Sequence, residues 1–321
     1  MSKNFISLAA GMAMIGGVAM SDTPKVAVDI SPVHSLVSRV MHGVGTPDLI
    51  VQAGASPHGY TLRPSEAKAL QDAQMVFWMG ESLSPWMEGA LDTLSRDATI
   101  ITLLERDETI LLEFREGALF EEHDHDDHGD EKHDVHGDEK HDDHDDHGHG
   151  SYDPHAWLSP DNARIWLNLI ASQLSIVDPE NAGTYFANAA AGRLEIEALK
   201  AEVNSLLEPI RGKKFIVFHD AYQYFEEAFK ISASGAISLG DASKPSPARI
   251  AEIQGRIEEE SIDCVLSEPQ FNKGLVATVM AGSNANTNVI DPLGVGLKPG
   301  PNLYNELIRD MTKTLVDCFE S

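Results

Sequence analysis

The stretch KVAVDISPVHSLVSRVMHGVGTPDLIV, residues 25–51, reads as strand, helix, strand. Lys25–Ile30 is a short β-branched run, Pro32–His42 is helical, and Asp48–Val51 is a second short strand. The alternation continues outward. Pro64–Asp72 is a helix whose Pro occupies the first position, where a missing N–H costs nothing. Met75–Met79 and Thr99–Leu103 are strands with a helix between them. Such βαβ alternation is the signature of a mostly parallel sheet covered by helices.

Ser159-Pro160 opens a helix to about Val177, with Ser159 as its cap. A second helix starts at Asp178-Pro179 and runs to about Ile210, with Ile196, Leu199, Val203, Leu206 and Ile210 at steps of three and four. At roughly thirty residues it spans ~45 Å, more than a small lobe needs, and suits a stiff connector. Alternation then restarts. Phe215–Phe218, Ile231–Ile237, Asp263–Ser267 and Thr287–Ile290 are strands, separated by helices and followed by a last helix, Asn302–Phe319. The expected fold is α/β, with two lobes joined by one long helix. Residues 20–178 form the first lobe, 179–211 the connector and 212–321 the second lobe.

Residues 121–150 interrupt the first lobe. They hold fourteen Asp/Glu against Lys132 and Lys140, a local charge of −12 within a chain total of −27. They also hold nine of the fourteen histidines: His123, His125, His128, His133, His136, His141, His144, His147 and His149. HGDEKHD at 128–134 recurs at 136–142. With almost no apolar side chains, this insertion cannot bury enough area to offset ordering entropy, and it reads as disordered. Its imidazoles and carboxylates suit weak, multiple binding of divalent metal. The overall acidity argues against nucleic acid, whose phosphates need Lys and Arg.

Lys3 precedes a Gly- and Ala-rich apolar run from Phe5 to Met20, the size of a signal-peptide core and too short to span a membrane. Gly17 and Ala19 fit cleavage after residue 19. No Cys follows that could carry a lipid, so export to the periplasm as a free protein is expected. Cys264 and Cys318, an even pair in an exported chain, read as one disulfide.

Open α/β sheets bind ligands beyond the carboxyl ends of their strands. His58 lies in the loop after the Leu49–Val51 strand, and His155 lies just before a helix start. His219 follows Phe215–Phe218, and Asp291 follows a strand ending at Ile290. Separations of 97, 64 and 72 residues exclude a local chelate, so only folding could gather them in a cleft between lobes. Three imidazoles and a carboxylate suit tetrahedral zinc. Taken singly, each histidine is more often a cap or core residue. His34 and His42 read as structural, and Asp29 as a residue of helix entry and capping.

Several motifs carry a resemblance. Gly54-Ala-Ser-Pro-His58-Gly-Tyr-Thr-Leu-Arg-Pro-Ser65, Asp153-Pro-His155-Ala-Trp-Leu-Ser-Pro160 and Phe218-His219-Asp-Ala-Tyr222 occur in that order. Ser267-Glu-Pro-Gln-Phe271 and Asp291-Pro-Leu-Gly294 follow. Together they resemble the periplasmic zinc-binding proteins of ABC importers, the ZnuA-like group, from about Lys25 to Cys318. The resemblance implies that His58, His155 and His219 ligate zinc between the lobes. The fourth position varies in that group. Pro57, before His58, cannot ligate, which leaves Asp291 or water, with Asp291 preferred; the alternative role for Asp291 is to orient an imidazole. The resemblance further implies a non-enzymatic monomer that delivers zinc to a membrane permease, with a periplasmic metallochaperone as a second partner. Two other classes compete: a secreted zinc hydrolase, which lacks an HExxH helix here, and a zinc store without a transporter.

Overall fold

Two four-stranded parallel sheets organise the computed structural model, which describes residues 23–115, 120, 152–238, 245–270 and 273–320. The signal segment 1–19 and the insertion 121–150 lie outside the described residues. The first sheet has the order β2-β1-β3-β4, formed by β1 (Val26–Val28), β2 (Asp48–Leu49), β3 (Met75–Trp78) and β4 (Thr99–Thr102). Every pairing is parallel, with Val26 opposite Met75 and Met75 opposite Thr99. Connecting helices are α1 (Ser31–Val40), α2 (Pro64–Asp72) and α3 (Pro85–Leu94), each with Pro in its first turn.

The second sheet repeats that order as β6-β5-β7-β8. Its strands are β5 (Phe215–His219), β6 (Ala236–Ser238), β7 (Cys264–Ser267) and β8 (Asn286–Val289), again all parallel. Between the sheets come α4 (Pro160–Val177) and α5 (Ala182–Leu207); α6 (Gln223–Phe229), α7 (Pro247–Glu259), α8 (Lys273–Val279) and α9 (Leu303–Glu320) complete the chain. Ser159 and Ser246 cap α4 and α7 through their side chains. The long connector is α5 extended by short 3-10 turns at Pro179–Asn181 and Glu208–Ile210.

Several strand boundaries differ from the sequence reading by one or two residues, and the start of β6 by five. β6 begins at Ala236 rather than Ile231, because the preceding residues wrap the end of α6: Lys230 is left-handed, and Ile231 and Ala233 donate to Glu226. β2 is shorter than expected, although Ile50 and Val51 still donate to Val28 and Asp29 at 2.9 and 2.8 Å. Asp29 does not cap α1. It accepts from the Ile30 and Met79 amides, both at 2.7 Å, and so ties the ends of β1 and β3 together.

The lobes share one continuous apolar cluster. It runs from Val28 and Phe77 through Trp157 and Trp166 to Phe225 and Leu266. Helix α5 packs against α1, α4 and α9, so the last helix of the chain lies on the connector and on the first lobe. Tyr304 at its start donates its amide to Ser35 and its hydroxyl to the Trp157 carbonyl. Cys264 and Cys318 form a disulfide that joins β7 to the end of α9.

Candidate metal centre

Repeating a 2-1-3-4 strand order places a crevice in each sheet where the connections diverge. In the second sheet that crevice lies between β5 and β7. His219 ends β5, and Glu268 directly follows β7. Their side chains meet, His219 Nδ1 to Glu268 Oε1 at 2.6 Å, both buried. From the first lobe comes His155, at the entry of a 3-10 turn, Ala156–Leu158. Asp153 Oδ1 accepts from its backbone amide at 2.9 Å and bonds its Nδ1 at 2.7 Å. His58 arrives on the loop after β2, which Gly54 turns at φ 85°. Ser84 Oγ and Trp86 Nε1 both donate to the Pro57 carbonyl, at 3.1 and 2.7 Å, and hold that loop against α3.

Ring centroids lie 5.4 Å apart for His58 and His155, 5.3 Å for His155 and His219, and 6.5 Å for His58 and His219. One nitrogen from each lies within 4.8 Å of the other two. They bound a cavity of about 10 Å³, walled also by Pro57, Trp157, Gln270, Pro292 and Leu293. Drug-sized and cofactor ligands need roughly 300 Å³ or more, so this space suits an ion and not an organic metabolite. Two of the imidazoles are buried and His58 is half-buried.

A carboxylate on Nδ1 holds the proton there and turns the Nε2 lone pair outward, the arrangement that raises the basicity of a metal-ligating imidazole. His155 and His219 both have such a partner. Burial lifts Asp153 to about 7, against the opposing pull of the His155 amide, Arg115 and the nearby imidazoles. A cation in the cavity would favour its ionised form by simple attraction.

Asp291 is not brought into this group. Its carboxylate accepts from the amides of Leu293, at 2.9 Å, Gly294, at 3.0 Å, and Val295, and so organises the turn Asp-Pro-Leu-Gly. The carboxylate expected as a ligand thus makes three backbone hydrogen bonds outside the three-imidazole group. His34 bonds the Pro47 carbonyl and lies near Ser38, and His42 is exposed; neither joins the three-imidazole group. The nine insertion histidines lie outside the described residues. Sequence reading missed Asp153 and Glu268 as partners of the imidazoles. The signals were an acid two residues before His155 and an acid at a strand end.

The profile of the ZnuA family, described as zinc-uptake complex component A, periplasmic, matches residues 26–318. The chain belongs to this family. Similar proteins include the high-affinity zinc uptake system protein ZnuA of Brucella abortus, 44% identical across 98% of this chain and 99% of that one. The protein of the same name from Paracoccus denitrificans is 46% identical across 97% and 96%. Among solved structures, a crystal structure of ZnuA superposes with a TM-score of 0.74 at 21% identity, covering 92% of this chain and 99% of that one. The family's fold is the one found here, two parallel sheets flanked by helices and bridged by a long helix. No helix among the described residues is long and apolar enough to cross a membrane.

Proposed function

We propose that this chain captures zinc in the periplasm, as a monomer, and delivers it to the membrane permease of an ABC importer. The observation that carries the reading is the convergence of His58, His155 and His219 nitrogens within 4.8 Å of one another at the junction of the lobes. Three neutral imidazoles of borderline softness favour zinc over the hard, all-oxygen cations. The names of the relatives, high-affinity zinc uptake system proteins, support the same cargo. Water takes the fourth position in place of Asp291. Gln270 is an acceptor for it, since its Oε1 is buried, lacks a hydrogen-bond partner among the described residues and belongs to a residue of the cavity wall.

Enzymatic use of the metal fits poorly. The carboxylates of Asp153 and Glu268 are each bonded to an imidazole, and the cavity is far smaller than an organic ligand site. A general base needs to reach the reacting proton directly or through one water. The His-rich run at 121–149 serves as a weak collecting arm, and as the point of transfer from a periplasmic metallochaperone. Ordering flexible side chains costs free energy, so its sites are weaker than the prebuilt cleft.

Metal analysis and chelator competition on the mature chain, with and without residues 121–149, test this. One tightly held zinc is expected in both, with the weaker ions lost in the shortened chain. Loss of the tight site on deletion would refute the division. Unchanged zinc import in cells lacking the protein would favour storage over delivery.

A further inference from the structure

Beyond β4 the chain crosses from the first lobe to the second and comes back. The outgoing limb includes Leu112, Glu113 and Arg115, and the returning limb includes Tyr152-Asp-Pro-His155. Glu113 and Tyr152 form an antiparallel bridge, and the Asp153 amide donates to the Leu112 carbonyl at 2.8 Å. Tyr224 of α6 holds both limbs: its hydroxyl donates to the Asp153 carbonyl at 2.8 Å and accepts from the Leu112 amide at 3.0 Å.

Arg115 closes the contact. Its Nε donates to both oxygens of Asp220, at 3.0 and 3.1 Å, and Nη2 also reaches that carboxylate. Nη1 and Nη2 donate to the two oxygens of Glu226, at 2.8 and 3.1 Å. The Phe120 ring lies 3.6 Å from the guanidinium carbon. The Asp220 and Glu226 side chains are 8% and 5% exposed, so this is a buried two-carboxylate fork rather than a surface pair. Burial alone would lower the Arg115 pKa, but Glu226 and Asp220 hold it above its ordinary value. A planar guanidinium can serve two carboxylates at once in fixed geometry, which an ammonium cannot.

The position of this fork gives it a second role. Asp220 is the residue after His219, and Asp153 bonds the His155 ring. One set of bonds outside the cavity thus connects two of the three imidazoles. We propose that Arg115 is a positioning residue for the zinc site, fixing the end of β5 against the limb that carries His155 so that His155 and His219 stand ready before zinc arrives. This rests on the three-histidine reading of the site. It separates Arg115 from an ordinary stabilising ion pair, which would change the melting temperature and leave zinc release untouched.

The test uses the full mature chain as wild type, Arg115→Met, Arg115→Lys, Asp220→Asn and His219→Ala. Zinc dissociation is followed in excess chelator by stopped flow, Co²⁺ absorption reports ligand geometry, and circular dichroism reports folding. Arg115→Met should release zinc about 10- to 100-fold faster, the range typical of outer-shell partners of metal ligands. Arg115→Lys should recover part of the loss, and the Co²⁺ spectrum should shift in Arg115→Met. Folded Arg115→Met with a release rate within about twofold of wild type, and an unchanged spectrum, would overturn the proposal. If Arg115→Met does not fold, Asp220→Asn decides: faster release supports the role, and wild-type release refutes it. Tight binding absent from wild type, or retained in His219→Ala, would instead strike the zinc-site reading.

Discussion

At the carboxyl end of β1, Asp29 spans the gap between the two central strands of the first sheet; at the end of β5, His219 stands in the corresponding place in the second. Asp29 accepts amides from both sides of its gap and closes it. His219 bonds Glu268 across the gap and presents its other ring edge to the cavity. The same strand order therefore produces a plugged crevice in one lobe and a ligand-bearing crevice in the other. Topology supplies the place, and the residue at the strand end decides its use.

His219→Ala should break the comparison most sharply. Apparent zinc binding energies of about 10–16 kcal/mol for four ligands imply roughly 2.5–4 kcal/mol for each. Affinity should fall by about two to three orders of magnitude in chelator competition, with the metal-free fold retained. Wild-type affinity would remove His219 from the site. Asp29→Ala should do the opposite. It strands the Ile30 and Met79 amides, at about 1–3 kcal/mol each, so denaturant unfolding should show about 2–6 kcal/mol less stability. Zinc affinity should stay within about twofold, as expected of separate sites.

Glu268→Gln keeps the shape of the second crevice and removes the carboxylate from the His219 ring. Zinc affinity should drop about 10- to 100-fold, less than for loss of the ligand itself. An affinity equal to that of wild type would show that the His219 ring is held by packing alone.

The smallest effect is electrostatic. Burial raises Asp29 to about 7, from a reference of 3.8, despite the Met79 and Ile30 amides. Between those values the unfolded chain ionises while the folded chain keeps its proton. The unfolded state then binds fewer protons, so stability falls as pH rises through this window, by up to about 1.4 kcal/mol per pH unit. His34 acts in the other direction, since burial lowers its pKa. Subtracting an Asp29→Asn variant isolates the Asp29 contribution. In zinc-free melts from about pH 5 to 7, wild type should lose ground to the variant as pH rises. A difference independent of pH would contradict the raised pKa.

Much of this was legible in the sequence, because β-branched runs and helical stretches alternate through both lobes and place histidines at strand ends. The Cys264–Cys318 pairing followed from an even count in an exported chain. Tertiary pairings were not legible. Glu268 lies 49 residues from His219, and no spacing rule links them. Arg115 finds Asp220 and Glu226 only because two limbs cross to α6. Asp291, preferred over water as the fourth ligand, directs its carboxylate to following amides, as the turn composition Asp-Pro-Leu-Gly suggests. Asp29 was misread: its position suggested a local cap, while its second partner, Met79, is fifty residues away.

The cavity of about 10 Å³ has a consequence for competing ions. By that measure it holds about one water-sized sphere, so an ion seated among the imidazoles trades most of its water shell for protein donors. Mg²⁺ dehydrates reluctantly and demands near-ideal octahedral oxygen coordination. Three imidazole nitrogens offer such an ion little in exchange for the water it would have to give up.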